Sequence, residues 1–257
     1  MKFQRLGNNR LYLYCQAIRE YPEVSALTDA ASILADDELR RCEGYIGKEK
    51  KAEFILARST LRRMLSHYLG IRPAEISIDA NTYGKPFLRR EQQILRRGSL
   101  HFNISHTAGL LLWGVALNSE VGVDAQVVRP LRGDAALIAE RFFSREEQER
   151  FRGCEHNERL DEFYRIWCRK EAYLKCRGTG FSLPAGDGTP PEAMSTYASA
   201  TLRHGTNHFI AAVATSTAGQ SMRWERIHEG KNETVYCLTP DRPPGDRPRR
   251  SRLKTAA

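Results

Sequence analysis

The sequence predicts an α+β fold that contains two similar halves. Helical and extended patterns are mixed along the chain, and one apolar block recurs: residues 111–116 match residues 209–214 when the chain is aligned with itself at an offset of 98 positions. The helical segment that ends near Leu65 is a further candidate match, to the segment that ends near Lys175. Chance similarity between two apolar strands is the alternative interpretation, because no short-period repeat accompanies the match.

One long helix followed by several strands is predicted for the first half. Apolar residues recur at steps of three and four from Lys48 to Leu69, and Gly70 can end a helix at that point. A short strand is expected over residues 75–79, followed by a turn from Asn81 to Pro86. Residues 100–104, 110–117 and 121–124 are expected to be extended.

Helices come before strands in the second half as well. The sequence predicts helices over residues 135–142 and 163–175, with Ser144 able to cap a further helix through its hydroxyl group. An extended segment over 181–184 and a loop to about residue 195 should follow. Strands are expected over residues 199–203, 209–215 and 235–238.

Length and composition favour a globular protein. The chain has 257 residues, of which 41% are hydrophobic, and this is enough for one large domain or two small ones. No apolar run approaches the 18 or so residues of a membrane span. The first ten residues lack the apolar core of a secretion signal, so a cytoplasmic location is expected.

Positive charge is concentrated at the carboxyl end. The net charge is +9, and residues 240–257 contribute +4 of it together with four prolines. This tail is expected to be disordered, and the rest of the chain is only mildly basic. Such a charge suits an anionic ligand or an acidic protein partner. A nucleic-acid binder is the competing class, but no stripe of aromatic and basic residues supports it.

Cysteine and histidine spacing does not favour a structural metal site. The six cysteines contain no C-x-x-C pair, which indicates free thiols and excludes a zinc ribbon. His204 and His208 are four residues apart but have no obvious third ligand, so we expect no metal there.

Two segments carry carboxylates that could do chemistry. Glu171 and Lys175 lie four residues apart on the predicted helix and therefore share a face, although a simple surface ion pair is the alternative. Asp124 follows the apolar Val121-Gly122-Val123, and a carboxylate at the end of a strand can hold a hard cation. A turn or capping aspartate is the alternative there.

Three further segments are polar or rich in glycine. Residues 103–107 place four polar side chains after an extended segment, where they could face phosphate or form a local turn. Lys85 lies on a rigid Gly-Lys-Pro turn, where a lysine is usually only solvated. Residues 178–180 lack the third glycine of a dinucleotide-binding motif and are interpreted as a helix stop.

In their order along the chain these motifs resemble a known family. From residue 39 to 215 the sequence is similar to the two-domain, pseudo-symmetric 4′-phosphopantetheinyl transferases of the Sfp type. The most specific segments are N-I-S-H at 103–106, G-V-D at 122–124 and W-x-x-K-E-A-x-x-K at 167–175. The other matching segments are Y-G-K-P at 83–86, R-F-F-S at 141–144 and G-T-G-F-S-L-P at 178–184.

The resemblance implies a fold and a reaction. It implies two pseudo-symmetric half-domains, at residues 1–125 and 126–239, with the active site between them and the 240–257 tail outside the family pattern. The implied enzyme transfers the phosphopantetheine arm of coenzyme A to a serine of an apo acyl or peptidyl carrier protein, with Mg²⁺, and releases adenosine 3′,5′-bisphosphate. Carriers of fatty acid, polyketide, nonribosomal peptide and lysine pathways all remain open as partners. A catalytically silent coenzyme A-binding homologue is the alternative. No membrane or nucleic-acid partner is expected, and one chain suffices as a monomer.

Site residues follow from the resemblance by position. The implied metal ligands are Asp124, Glu171 and Gln126. The implied catalytic residues are Glu171, Lys175 and His106. The implied coenzyme A contacts are Arg41, Lys51, Arg58, Arg62, Lys85, Ser105, His106 and Lys175. Many members have a glutamate where this chain has Gln126. We therefore expect weaker magnesium binding here rather than inactivity.

Overall fold

The structure is a computed structural model that describes residues 3–7, 10–96, 98–131, 133–180, 196–204, 207–216, 222–230 and 232–240. The extended segment expected at 181–184, the loop expected up to residue 195 and residues 241–257 of the basic tail lie outside these ranges.

A six-stranded antiparallel sheet, in the order β10-β11-β1-β6-β5-β4, forms the larger sheet. Its strands are β1 (Leu11–Ala17), β4 (Ile94–Leu95), β5 (Gly98–Thr107), β6 (Leu110–Leu117), β10 (Met222–Glu229) and β11 (Glu233–Pro240). Strand β1 pairs with β6 on one side and with β11 on the other. The two ends of the described chain therefore meet in one sheet.

A three-stranded antiparallel sheet, in the order β7-β9-β8, packs against the larger one. Its strands are β7 (Val121–Val127), β8 (Thr196–His204) and β9 (Asn207–Thr215). Buried apolar side chains from both sheets, including Leu13, Leu112, Val123 and Val213, form the core between them. Gly114 allows this close approach, because a Cβ atom there would lie 2.6 Å from Cγ1 of Val123.

Helix α3 (Lys48–Leu69) covers the outer face of the six-stranded sheet. Its predicted bounds are confirmed, and Gly70 ends it in the left-handed conformation with φ of 71°. Leu61 and Leu65 pack against Trp113 in this core, and the Trp113 indole N–H donates to the carbonyl of Ala57 at 3.0 Å. The short elements around α3 are α1 (Thr28–Ala31), α2 (Asp36–Glu43), α4 (Arg90–Gln93), β2 (Ile78–Ala80) and β3 (Pro86–Leu88).

Helices α5 (Ala135–Phe142), α6 (Arg145–Gly153) and α7 (Arg159–Arg177) cover the outer face of the three-stranded sheet. Ser144 caps α6, as predicted, by accepting a hydrogen bond from the Glu147 amide. Helix α7 lies directly on β7. A Cβ atom at Gly122 would lie 2.0 Å from the carbonyl oxygen of Ala172, so only glycine fits at this contact.

Several local predictions differ from the structure. Residues 75–79 contain the end of a 3₁₀ turn and the start of β2, instead of one strand. Residues 103–107 continue β5 and do not form a loop, because they pair with β6 up to Thr107. Asp124 lies in the middle of β7, not at its end. Among the described helices, none is both long and apolar enough to cross a membrane.

Candidate active site

A cleft of about 500 Å³ opens between the β2–β3 hairpin, helices α2 and α3, strand β5 and the carboxyl half of α7. The charged residues that line it are Asp37, Glu38, Arg41, Arg58, Asp79, Lys85, Glu171 and Lys175. Asn103 and Ile104 of β5 contribute to its floor. The cleft therefore combines the carboxylate and lysine of α7 with arginines from the first half of the chain.

Asp124 is the buried carboxylate beside this cleft, and it is only 2% exposed. The Lys175 ammonium donates to its Oδ1 at 2.6 Å, and the Ser105 hydroxyl donates to the same oxygen at 3.1 Å. The Gln126 side-chain amide donates to Oδ2 at 3.1 Å. Three predicted site residues therefore donate hydrogen bonds to Asp124, which is itself a predicted site residue.

Glu171 lies one helical turn before Lys175, and its side chain has no hydrogen bond or ion pair within the part of the chain that the structure describes. Burial and the nearby charge of Asp124 raise the pKa of Glu171 to about 7, against the opposing effect of Lys175. The alternative of a surface ion pair between Glu171 and Lys175 is wrong, because Lys175 pairs with Asp124 instead.

Strand β5 holds β7 in place through side chains. The Asn103 side-chain oxygen accepts a hydrogen bond from the Val123 amide at 3.0 Å, and Ser105 Oγ contacts the Ala125 amide at 3.4 Å. Both side chains are buried. They therefore fix the backbone on each side of Asp124 where the two sheets meet.

The arginines of α3 separate into two environments. Arg58 and Arg62 both pair with Glu38, at 2.7 and 2.6 Å. Arg62 is 1% exposed and also donates to the carbonyls of Pro73 and Ile76, so it belongs to the interior and not to a basic surface. Arg58 lines the cleft, where burial lowers its pKa despite the Glu38 charge. Lys51 is not among the residues described as lining the cleft.

Lys85 ties the β2–β3 hairpin to the end of α7. Its ammonium donates to the Cys176 carbonyl at 2.8 Å and pairs with Glu120, while His101 Nδ1 lies 3.0 Å from the other Glu120 oxygen. Asn81 adds a hydrogen bond to the Gly178 carbonyl at 2.7 Å. Lys85 therefore lines the cleft and also caps the carboxyl end of the helix that carries Lys175.

Hydrogen bonding holds Glu120 in its ionised form. Burial alone would raise the pKa of Glu120, but hydrogen bonds and charge from His101 and Lys85 outweigh it and lower that pKa to about 2. Sequence analysis missed this residue, because a glutamate in the turn between β6 and β7 carries no signal of its own.

His106 lies at the end of β5 and faces away from Asp124. Its Nδ1 is 2.5 Å from Oε1 of Glu53, and the Tyr21 hydroxyl donates to the other oxygen of Glu53. The cleft-lining residues in the described ranges do not include His106. Neither Glu53 nor Tyr21 was predicted, since nothing in their spacing links them to residue 106.

The predicted metal ligands Asp124, Glu171 and Gln126 carry oxygen donors. No group of three or more histidine, cysteine, aspartate or glutamate side chains suited to a metal ion occurs in the described parts of the chain. His208 lies 3.1 Å from the carboxylate of Asp161. Asp124, Glu171 and Gln126 offer two carboxylates and one amide, which are ligands typical of magnesium.

Comparison with known proteins identifies the family of the chain. Residues 120–214 match the model of the 4′-phosphopantetheinyl transferase superfamily, and residues 21–116 match the model of a 4′-phosphopantetheinyl transferase N-terminal domain. The chain is 35% identical over 163 residues to the 4′-phosphopantetheinyl transferase HetI of a Nostoc species, which covers 63% of this chain and 67% of HetI.

Two further relatives are also named as 4′-phosphopantetheinyl transferases. A putative 4′-phosphopantetheinyl transferase of a Synechocystis species is 30% identical over 69% of this chain and 70% of its own length. The 4′-phosphopantetheinyl transferase Sfp of Bacillus subtilis is 29% identical over 60% of this chain and 64% of its own. The chain belongs to the 4′-phosphopantetheinyl transferase superfamily, so the predicted family and the predicted transferase class are confirmed.

Proposed function

We propose that this protein transfers the 4′-phosphopantetheine group of coenzyme A to a serine of an apo acyl or peptidyl carrier protein, with Mg²⁺. The observation that carries the proposal is the Asp124 cluster: Lys175 and Ser105 hold one oxygen, Gln126 holds the other, and Glu171 lies nearby without a partner among the described residues. These residues come from β5, β7 and α7, at the contact between the two sheets and the helix.

The residues fit a divalent cation. The side chain of Glu171 has no partner among the described residues, and burial, followed by the charge of Asp124, raises its pKa. Two carboxylates that repel each other are stabilised by a cation between them. Asp124 and Glu171 would hold Mg²⁺, with the Gln126 oxygen or a water in the third position. Bound there, the ion would neutralise charge on the pyrophosphate of coenzyme A.

Positive side chains are available for the phosphates of coenzyme A. Arg41 and Arg58 line the end of the cleft near α2 and α3, and one carboxylate, Glu38, is shared between Arg58 and the buried Arg62. The guanidinium groups of Arg41 and Arg58 line the cleft together with the carboxylates of Asp37 and Glu38, and they would bind the 3′-phosphate through charge-assisted hydrogen bonds. Lys85, Ser105 and His106 are proposed as further contacts to the coenzyme.

Glu171 and Lys175 would carry out the proton transfers. Glu171 accepts the proton of the carrier serine, directly or through water, as the serine oxygen forms its bond to the phosphorus that bears the pantetheine arm. The bond from that phosphorus to the bridging oxygen breaks. Lys175 stabilises the leaving phosphate of adenosine 3′,5′-bisphosphate or gives it a proton.

The strand order supports two pseudo-symmetric halves. The sheet order β1-β6-β5 in the first half parallels β7-β9-β8 in the second, and α3 and α7 cover corresponding faces. The boundary expected from the sequence, between residues 125 and 126, falls inside β7. We therefore propose that the half-domains 1–125 and 126–239 be redrawn to divide between β6 and β7, at residues 118–120. Strands β10 and β11 then return to the sheet of the first half. Both walls of the cleft come from one chain, which suits a monomer.

The test is transfer of labelled phosphopantetheine from coenzyme A to a panel of apo carrier proteins. Glu171→Gln should lower the rate at least 100-fold, the scale of losing a catalytic acid–base group. Glu149→Gln, on the exposed face of α6, is the matched control and should leave the rate unchanged. Coenzyme A binding without transfer to any carrier would support the catalytically silent homologue instead.

A further inference from the structure

Two residues behind His106 form a chain of hydrogen bonds with it. Tyr21 donates its hydroxyl to Oε2 of Glu53, and Oε1 of Glu53 lies 2.5 Å from Nδ1 of His106. Both oxygens of the carboxylate are thus used, one by a phenol and one by an imidazole. The side chain of Glu53 is 14% exposed, whereas that of His106 is 47% exposed. The chain therefore runs from the interior towards an open surface.

Three separate segments hold this arrangement. Glu53 lies in the second turn of α3, Tyr21 follows β1, and His106 precedes the β5–β6 turn. Gly109 in that turn has φ of 82°, and a Cβ atom there would lie 2.8 Å from the carbonyl of Ile18, so the turn fits closely against the segment before Tyr21. The Ile18 amide also donates to the Gly109 carbonyl at 2.6 Å. The position of His106 is fixed by this packing.

The geometry determines which nitrogen of His106 is available. Nδ1 faces the Glu53 carboxylate, which can only accept, so Nδ1 carries a proton and donates it. Nε2 has no hydrogen-bond partner among the described residues, and about half of the His106 side chain is exposed. A carboxylate that orients an imidazole in this way leaves the outer nitrogen free for a ligand.

We propose that Glu53 and Tyr21 are positioning residues that orient His106 so that its Nε2 binds a phosphate group of coenzyme A. This rests on the proposed function, which supplies the phosphate ligand. The charged and titratable groups that face the cluster are Tyr21, Glu53 and, one turn earlier on α3, the exposed Glu49. Burial would raise the pKa of Glu53, but hydrogen bonds from His106 and Tyr21 lower it, which keeps the carboxylate ionised.

The first measurement is the state of the imidazole itself. Nitrogen-15 NMR of the full chain should show the His106 ring protonated at Nδ1 when it is neutral. Glu53→Gln should give a mixture of the two ring forms, because an amide does not restrict the choice of nitrogen. A ring form that is unchanged in Glu53→Gln would overturn the positioning role.

The second measurement is calorimetric binding of adenosine 3′,5′-bisphosphate. Glu53→Gln should weaken binding roughly five- to tenfold, the scale of one charge-assisted hydrogen bond. Tyr21→Phe removes only the hydroxyl group and should weaken binding less. Glu49→Gln removes the same charge one turn away and should bind as the wild type does. Equal affinities for the Glu53 and Glu49 variants would refute the proposal, and Tyr21→Phe decides it if Glu53→Gln does not fold.

Transfer kinetics separate this inference from the proposed function. In Glu53→Gln the KM for coenzyme A should rise while the KM for the carrier protein stays the same. If the wild-type protein binds the nucleotide in a Glu53-dependent way but transfers nothing, the proposed function fails and the role of Glu53 remains. If transfer is normal in both proteins with equal KM values, the inference fails alone.

Discussion

The ammonium nitrogen of Lys175 lies 2.6 Å from Oδ1 of Asp124 and thereby joins helix α7 to strand β7. Asp124 is almost fully buried, whereas the side chain of Lys175 is 31% exposed towards the cleft. The lysine can therefore neutralise the carboxylate and still meet a ligand. Within the described structure, the positive charge next to Asp124 comes from this one side chain.

Lys175→Met should reduce both activity and stability. It leaves the buried Asp124 with neutral donors only, which costs about 2 kcal/mol of unfolding free energy. It also removes the group proposed to stabilise the leaving phosphate, so transfer should fall about 100-fold or more. Lys175→Arg keeps the charge and should recover stability without full activity. Urea unfolding and the transfer assay measure the two effects, and a stable, active Lys175→Met variant would contradict both roles.

Gln126→Glu should strengthen magnesium binding. The Gln126 amide now donates to Oδ2 of Asp124, and a glutamate would replace this hydrogen bond with a repulsive charge. The variant should therefore melt at a lower temperature without Mg²⁺ and bind Mg²⁺ about tenfold more tightly in calorimetry. Gln126→Leu removes the hydrogen bond without adding charge and serves as the control. If magnesium dependence were the same in Gln126→Glu, position 126 would not be a ligand.

Glu120 should make stability depend on acid pH. Its pKa falls from the ordinary 4.5 to about 2 in the folded protein, so its contribution is fully present above about pH 4.5 and is lost as the pH falls towards 2. Glu120→Gln should lower the unfolding free energy at pH 7 and have little effect near pH 2. Denaturation curves across this range measure the difference. The exposed Glu149→Gln should show no such pH-dependent gap between variant and wild type.

Loss of Arg62 should lower stability, whereas loss of Arg58 should weaken coenzyme A binding. Arg62→Met leaves the Pro73 and Ile76 carbonyls without their donor and should cost about 2–4 kcal/mol of stability. Arg58→Met should instead weaken coenzyme A binding about tenfold, since Arg58 lines the cleft. Thermal melting and calorimetric binding distinguish them. A binding defect at position 62 in a fully stable variant would place Arg62 in the coenzyme site.

Elements with a strong local pattern could be predicted from the sequence. Helix α3 was predicted with its correct ends, because its apolar spacing is regular and Gly70 adopts the left-handed cap that ends it. Strand β6 is apolar at every position, and its bounds at Leu110 and Leu117 were also predicted correctly. In contrast, β1 was not predicted. Its pairing with β6 and β11 joins segments about one hundred and two hundred residues away, which no local pattern reveals.

Roles that depend on distant partners could not be predicted from spacing. Arg58 and Arg62 lie four residues apart on α3, and the sequence analysis placed both among the expected coenzyme A contacts. The structure separates them because Glu38 of α2 and two carbonyls enclose Arg62. Glu53 gave no signal for the same reason: its importance comes from His106, which lies 53 positions further along the chain.

The absence of a side chain at Gly122 determines how near α7 comes to β7. The Ala172 carbonyl occupies the space where a Cβ atom would lie, and Ala172 follows Glu171 directly. An alanine at position 122 would push the helix outward and carry the Glu171 carboxylate away from Asp124, which lies two residues further along β7. The missing Cβ atom at Gly122 thus sets the separation of the two carboxylates that are proposed to share a cation.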